Sequence, residues 1–142
     1  MGLFSFKKAA KSVNKIANQN VMEAIVAASL LVAAADGEIE DDEVATLNGL
    51  LSNNDLLSAF APTEITRTVE RYTGILKAGF RVGKVKMLRE IADIADNADH
   101  AEEVFVTALT IAEADGEIED AELVVLKDIG KTLGVSLAAY GL

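Results

Sequence analysis

The sequence predicts an all-α protein, a compact bundle of about seven helices built on two pseudo-symmetric helix–acidic turn–helix hairpins. Three observations lead there. Proline occurs once, aromatics make up 5% and apolar residues 51%, the composition of a helix-rich core. Apolar residues recur at helical spacing between breaks marked by Gly, Asn and the lone Pro62. An acidic decapeptide appears twice, 79 residues apart, each time between an apolar stretch and an amphipathic one. With 142 residues, the chain suits one domain.

Each element follows in order. A first helix is expected over 3–17. A second, apolar on nearly all sides, spans about 20–35 and reads as the central core helix. Gly37 ends it. A third covers about 40–52, with Val44, Leu47, Leu50 and Leu51 on one face. A short helix near 55–60 follows Asn53 and Asn54. Pro62 fits the first position of the next helix, which reaches about 78. Gly79 and Gly83 mark its junction with a helix to about 97 that buries Val85, Leu88, Ile91 and Ala92. Asp99 with Glu102 reads as a capping pair for a helix to about 114. The last long helix spans 119–133, stopped by Gly134, and a short tail follows. By domain, residues 1–18 form a basic amphipathic segment and 19–142 the helical body.

Charge is divided unevenly. The net charge is −10, but residues 1–22 hold Lys7, Lys8, Lys11 and Lys15 and no acid, leaving −14 on the rest. Eleven of the 23 acids fall in 36–43 and 115–122, the two repeated turns. An acidic body disfavours duplex nucleic acid, whose binding requires Lys and Arg to displace counterions. It suits cations or basic proteins. Cysteine is absent and His100 is the sole histidine, which excludes disulfides, thiolate metal sites and multi-histidine centres. The longest apolar run, 24–35, is shorter than the roughly 20 residues a bilayer demands, so a cytoplasmic protein is expected.

The two copies of the turn read Asp36-Gly37-Glu38-Ile39-Glu40-Asp41-Asp42-Glu43 and Asp115-Gly116-Glu117-Ile118-Glu119-Asp120-Ala121-Glu122. Each coincides with positions 5–12 of an EF-hand loop: Asp, the turn-forming Gly, a backbone carbonyl, the apolar residue, an acid and the terminal Glu. Crowded carboxylates repel by a few kcal/mol per close pair at an effective dielectric of about 20, so either protons or a hard cation must relieve them. Carboxylate and carbonyl oxygens select Ca²⁺, with Mg²⁺ or Mn²⁺ as the other fits. The candidate ligands are Asp36, Glu40, Glu43, Asp115, Glu119 and Glu122, assisted by the carbonyls of Glu38 and Glu117.

Both copies are half-loops. EF-hand positions 1 and 3 would fall on Val32 and Ala34 in one and on Ile111 and Glu113 in the other, so only Glu113 could help. The expected dissociation constant is on the order of 10⁻⁴ M. The same residues also fit a plainer role. Asp-Gly makes a tight turn, and the acids complement the N-terminal dipole of the helix that follows.

The doubled Asp-Gly-Glu-Ile-Glu-x-x-Glu motif in an all-helical chain of this size resembles the tellurite-resistance TerB family, over about residues 20–135. The resemblance implies a seven-helix or similar fold with metal positions at Asp36, Glu40, Glu43, Asp115, Glu119 and Glu122. It also implies a setting in tellurite-resistance or wider stress-response systems, beside a membrane protein of the TerC type. It supplies no reaction.

Two further features have alternatives. Lys7, Lys11 and Lys15 repeat at i,i+4 opposite a stripe of Leu3, Phe6, Ala10 and Val13. Residues 3–17 could therefore lie on an anionic membrane surface at the inner face, pack as a terminal helix on the acidic body, or fray in solution. Seven of the nine bases outside the first 22 residues cluster between Arg67 and Arg89. They form either a phosphate- or acid-binding face or a solvated helix surface. Asp93, Asp96 and His100 fall nominally on one helical face, although Asn97-Ala98-Asp99 reads as a break that leaves His100 a surface residue.

No nucleophile–base set or phosphate-cradling glycine loop appears, so no enzyme is expected. The expected function is a divalent-cation-binding adaptor. A metal-independent interaction module with acidic docking patches is the alternative, and a carboxylate-metal hydrolase a more distant one.

Overall fold

The computed structural model describes residues 16–114 and 116–142, which fold into six α-helices and two short 3-10 helices. The α-helices are α1 (Gln19–Ala33), α2 (Asp41–Ser52), α3 (Pro62–Ala78), α4 (Phe80–Asp93), α5 (Ala98–Ala114) and α6 (Asp120–Leu133). The 3-10 helices are Asp55–Leu57 and Leu137–Tyr140.

Helix α1 starts where the Asn18 side chain accepts the N–H groups of Asn20 and Val21, at 2.8 and 3.2 Å. From Val21 to Val32 every residue but Glu23 is buried. A helix apolar on all faces needs neighbours on all faces, and α1 has them. It packs most extensively on α5 and is ringed by α2, α3, α4 and α6. Consecutive members of that ring touch one another, while α2 and α5 meet only briefly and leave a seam above α1. Helices α1–α2 and α5–α6 are the two repeated hairpins, so the core is the apolar first helix of one copy lying on that of the other.

The middle helices brace this pair. Gly83 of α4 is buried where a Cβ would lie 2.9 Å from the Ile75 carbonyl oxygen and 3.1 Å from the Leu76 Cα. The absent side chain lets α4 cross α3 at backbone contact. Tyr72, fully buried, donates its hydroxyl to Glu90 at 3.1 Å, and Arg71 stacks 4.4 Å above its ring. Lys77 pairs with Asp41 at 2.9 Å, and Lys84 with Asp128 at 3.2 Å, tying α3 to α2 and α4 to α6.

The structure corrects several boundaries. Most of the expected helix over 3–17 lies outside the described residues, and the part that is described, 16–17, is not helical. The short helix near 55–60 is a single 3-10 turn. Helix α4 ends at Asp93 rather than near 97, and its Val85, 49% exposed, and Ala92 lie on the surface instead of being buried. Helix α5 is opened by Asn97, whose side chain accepts the His100 N–H at 3.1 Å; Asp99 therefore sits inside the first turn. Asn outcompetes Asp here because its position, not Asp99, has the N–H three residues on within reach. Among the described residues no helix is long and apolar enough to cross a membrane.

Candidate functional site

The pairing of α1 with α5 carries the two acidic turns to the same end of the bundle. Gly37, at φ +85°, and Gly116, at φ +128°, adopt backbone conformations that L side chains rarely reach, so each turn reverses within a few residues. The result is one shared cleft of about 120 Å³, lined by Asp36 and Glu43 from the first copy and Glu117, Glu119 and Glu122 from the second. Its floor is apolar, formed by Val32, Ala33, Ala35 and Ala112.

Not every candidate ligand faces it. Glu38 and Glu40 line a much smaller recess on the other side of the first turn, beside Leu30 and Val44. Glu43 borders both. Asp115 lies outside the described residues. Of the eight candidate positions, five therefore share one cleft, whereas the spacing alone suggested two separate half-loops.

Two of these carboxylates also have local work. Asp36 Oδ1 accepts the Glu38 N–H at 3.0 Å, closing the first turn. Glu122 Oε1 accepts the Glu119 N–H at 2.9 Å, the return half of a capping box for α6. The plainer reading, turn closure and helix capping, is thus present in the geometry. Among the described residues no three His, Cys, Asp or Glu side chains converge tightly enough to hold an ion as they stand. The donor chemistry nevertheless suits a hard cation: every polar side chain in the lining is a carboxylate, and all but the half-buried Glu122 are exposed.

A second groove of about 170 Å³ adjoins the cleft and shares Val32, Ala33, Glu43, Ala112 and Glu122 with it. It follows the seam between α2 and α5, with Thr46, Leu47 and Leu50 on one wall, Ile111 on the other and Asp42 at its acidic end. Ser29 lines its floor, and the Ser29 hydroxyl is buried with no hydrogen-bond partner among the described residues. Sequence reasoning missed this groove. Its one signal was a serine inside an otherwise apolar run.

The remaining candidates are dispersed. Three of the seven clustered bases, Arg71, Lys77 and Lys84, face acids of neighbouring helices. Arg67, Arg81, Lys86 and Arg89 are exposed. Asp93 closes α4, Asp96 lies in the turn beyond it and His100 in the first turn of α5, so the three share no helical face.

Residues 22–141 match the family model described as tellurite resistance protein TerB. No curated protein and no solved structure matches the chain.

Proposed function

The chain belongs to the TerB family of tellurite-resistance proteins, and from that premise we propose that it is a non-enzymatic, divalent-cation-binding helical adaptor. One observation carries the reading: the two acidic turns, distant in sequence, line a single cleft with five carboxylates. Ca²⁺ is the favoured ion, because a flexible shell of carboxylate oxygens tolerates its irregular coordination better than the octahedron Mg²⁺ demands. Asp36, Glu43, Glu117, Glu119 and Glu122 would rotate inward to hold it. An ion there would neutralise both turns and tie the α1–α2 hairpin to α5–α6, altering the surface offered to a partner. In the family's setting that partner would be a membrane protein of the TerC type, reached from the cytoplasmic face.

A second reading is favoured by the bonds from Asp36 to the Glu38 N–H and from Glu122 to the Glu119 N–H. If the carboxylates serve only turns and caps, the acidic end docks a basic partner without any metal. A thermal melt decides between them. The protein is melted in EDTA and then with Ca²⁺, Mg²⁺ or Mn²⁺ at matched ionic strength, beside Glu43→Gln/Glu122→Gln. Ligand at a hundredfold its dissociation constant adds about 2.7 kcal/mol, a rise of several degrees for this size. A calcium-selective rise lost in the double variant is the expected outcome. No shift at millimolar cation would leave the metal-free docking module.

A further inference from the structure

We propose that this chain docks on a second copy of itself, the outer face of α4 seating in the groove between α2 and α5 of the next molecule. The proposal stands apart from the cation reading, since the groove's shape and charge exist without an ion.

Face and groove lie on opposite sides of α1. The outer helices follow one another around it in the order α2, α3, α4, α6, α5, each in contact with the next, and the circuit is nearly open at the seam between α5 and α2. With two helices on either side of it, α4 stands across α1 from that seam. The two surfaces cannot meet within one molecule, but they can meet between copies. Such a contact is heterologous: each new copy brings a free face and a free groove, so it propagates instead of closing as a two-fold dimer.

The surfaces also match in order and length. Val82, 64% exposed, lies with Val85, Lys86 and Arg89 on the solvent side of α4, opposite the buried Gly83, Met87 and Ile91. These valines are two of the four large apolar side chains left exposed among the described residues. Lys86 and Arg89 form no ion pair with the described acids, so the face runs from apolar to basic along α4. The groove runs from apolar Leu50 and Leu47 to acidic Asp42, Glu43 and Glu122. At 1.5 Å per residue, Val82 to Arg89 spans about 10 Å and Leu50 to Asp42 about 12 Å. With α4 laid antiparallel to α2, the valines meet Leu47 and Leu50 while Arg89 reaches Asp42. A ridge of one helix set between two others is the ordinary way helices pack. The Ser29 hydroxyl on the groove floor, buried and without a partner, offers an entering guanidinium an acceptor.

An anionic bilayer would suit the α4 face, but a net charge of −10 opposes it and the groove would have no part in it. The same net charge opposes the meeting of two copies, and exposed ion pairs contribute little each. The contact is therefore weak: burial of the valines supplies the affinity, and the charges set the orientation.

Sedimentation of the full chain in EDTA, from micromolar to millimolar concentration, tests this with two variants changed only at exposed positions. Val82→Asp/Arg89→Glu spoils the face, and Asp42→Arg/Thr46→Arg spoils the groove. Neither Asp42 nor Thr46 lines the acidic cleft, so the outcome is independent of cation binding. The parent mass should rise with concentration past that of two copies. Each variant alone should stay monomeric with a near-parental Tm. Mixed in equal amounts, the variants should form a dimer and stop, because one intact face and one intact groove remain between them. A parent monomeric at every concentration would overturn the proposal, as would association that neither variant weakens. Failure of the mixture to pair, or a parent that stops at two copies, would reveal a symmetric interface and equally overturn it. If the parent stays monomeric but binds phosphatidylglycerol vesicles, and Val82→Asp/Arg89→Glu abolishes that binding, the α4 face belongs to a bilayer and the proposal falls.

Discussion

Glu43 and Glu122 occupy the same position in the two copies of the acidic turn, 79 residues apart, and both border the acidic cleft and the adjoining groove. A repeat that looks in sequence like two separate sites is, in the fold, one site seen from two sides. Each of these carboxylates also stands where a ligand in the cleft and an occupant of the groove would both meet it.

A shared site has a stoichiometric consequence. Titration calorimetry with Ca²⁺ should give one ion per chain. Glu43→Gln and Glu122→Gln singly should each remove most of the calcium-induced rise in Tm, with little further loss on combination. Two independent half-loops would instead bind two ions, and each single variant would leave about half the response. Gln at position 122 keeps an acceptor for the Glu119 N–H, so α6 retains its cap and lost binding is not lost folding.

Gly83→Ala should be destabilising despite the better helix propensity of alanine. The new methyl would meet the Ile75 carbonyl oxygen at 2.9 Å and the Leu76 Cα at 3.1 Å, backbone atoms that cannot rotate away. Forced separation of α3 and α4 should cost about 1–3 kcal/mol. Urea denaturation of the variant should show the lower midpoint at an unchanged m-value.

Glu103 should make stability fall as pH rises. Its residue is 8% exposed, and burial pushes the carboxyl above its ordinary value, with Asp99 adding to the rise and His100 opposing it. The proton is held more tightly in the folded state than in the unfolded one. The stability this contributes is complete below the ordinary carboxyl range and is lost as pH climbs through the raised folded value. Glu103→Gln should therefore raise Tm at pH 7 and flatten its decline between acidic and neutral pH. A variant whose Tm tracks the parent at every pH would refute the assignment.

Asn97→Ala should cost about 1 kcal/mol, the typical loss for an N-cap. The cap bond runs from the His100 N–H to the Asn97 side chain at 3.1 Å, and the open end would belong to the helix most extensively packed on α1. Asp99→Ala, inside the first turn, should cost less. Equal losses would restore Asp99 as the cap.

How much of this was legible beforehand depends on the range of the interaction. Pro62 at the head of α3, Gly134 with its left-handed φ of +73° at the foot of α6, and the all-apolar α1 are local statements, readable because backbone conformation and helical periodicity are local. Asn97 was misjudged for a related reason. Asn97 and Asp99 are both good caps, and which one lies outside the first turn depends on where α4 lets the chain go.

The site divides along the same line. The sequence by itself determined that two closely matching acidic turns exist, that each follows an apolar helix, and that their oxygens suit a hard cation. It could not show that Asp36 and Glu43 face Glu117, Glu119 and Glu122 while Glu38 and Glu40 turn away. Nor could it show the groove beside them. Those facts were decided by the tertiary structure, through the burial of α1 against α5. The nearly all-apolar α1 must be covered on every side, and the apolar face of α5 covers it most extensively, which superimposes the ends of two hairpins that the chain itself holds 79 residues apart.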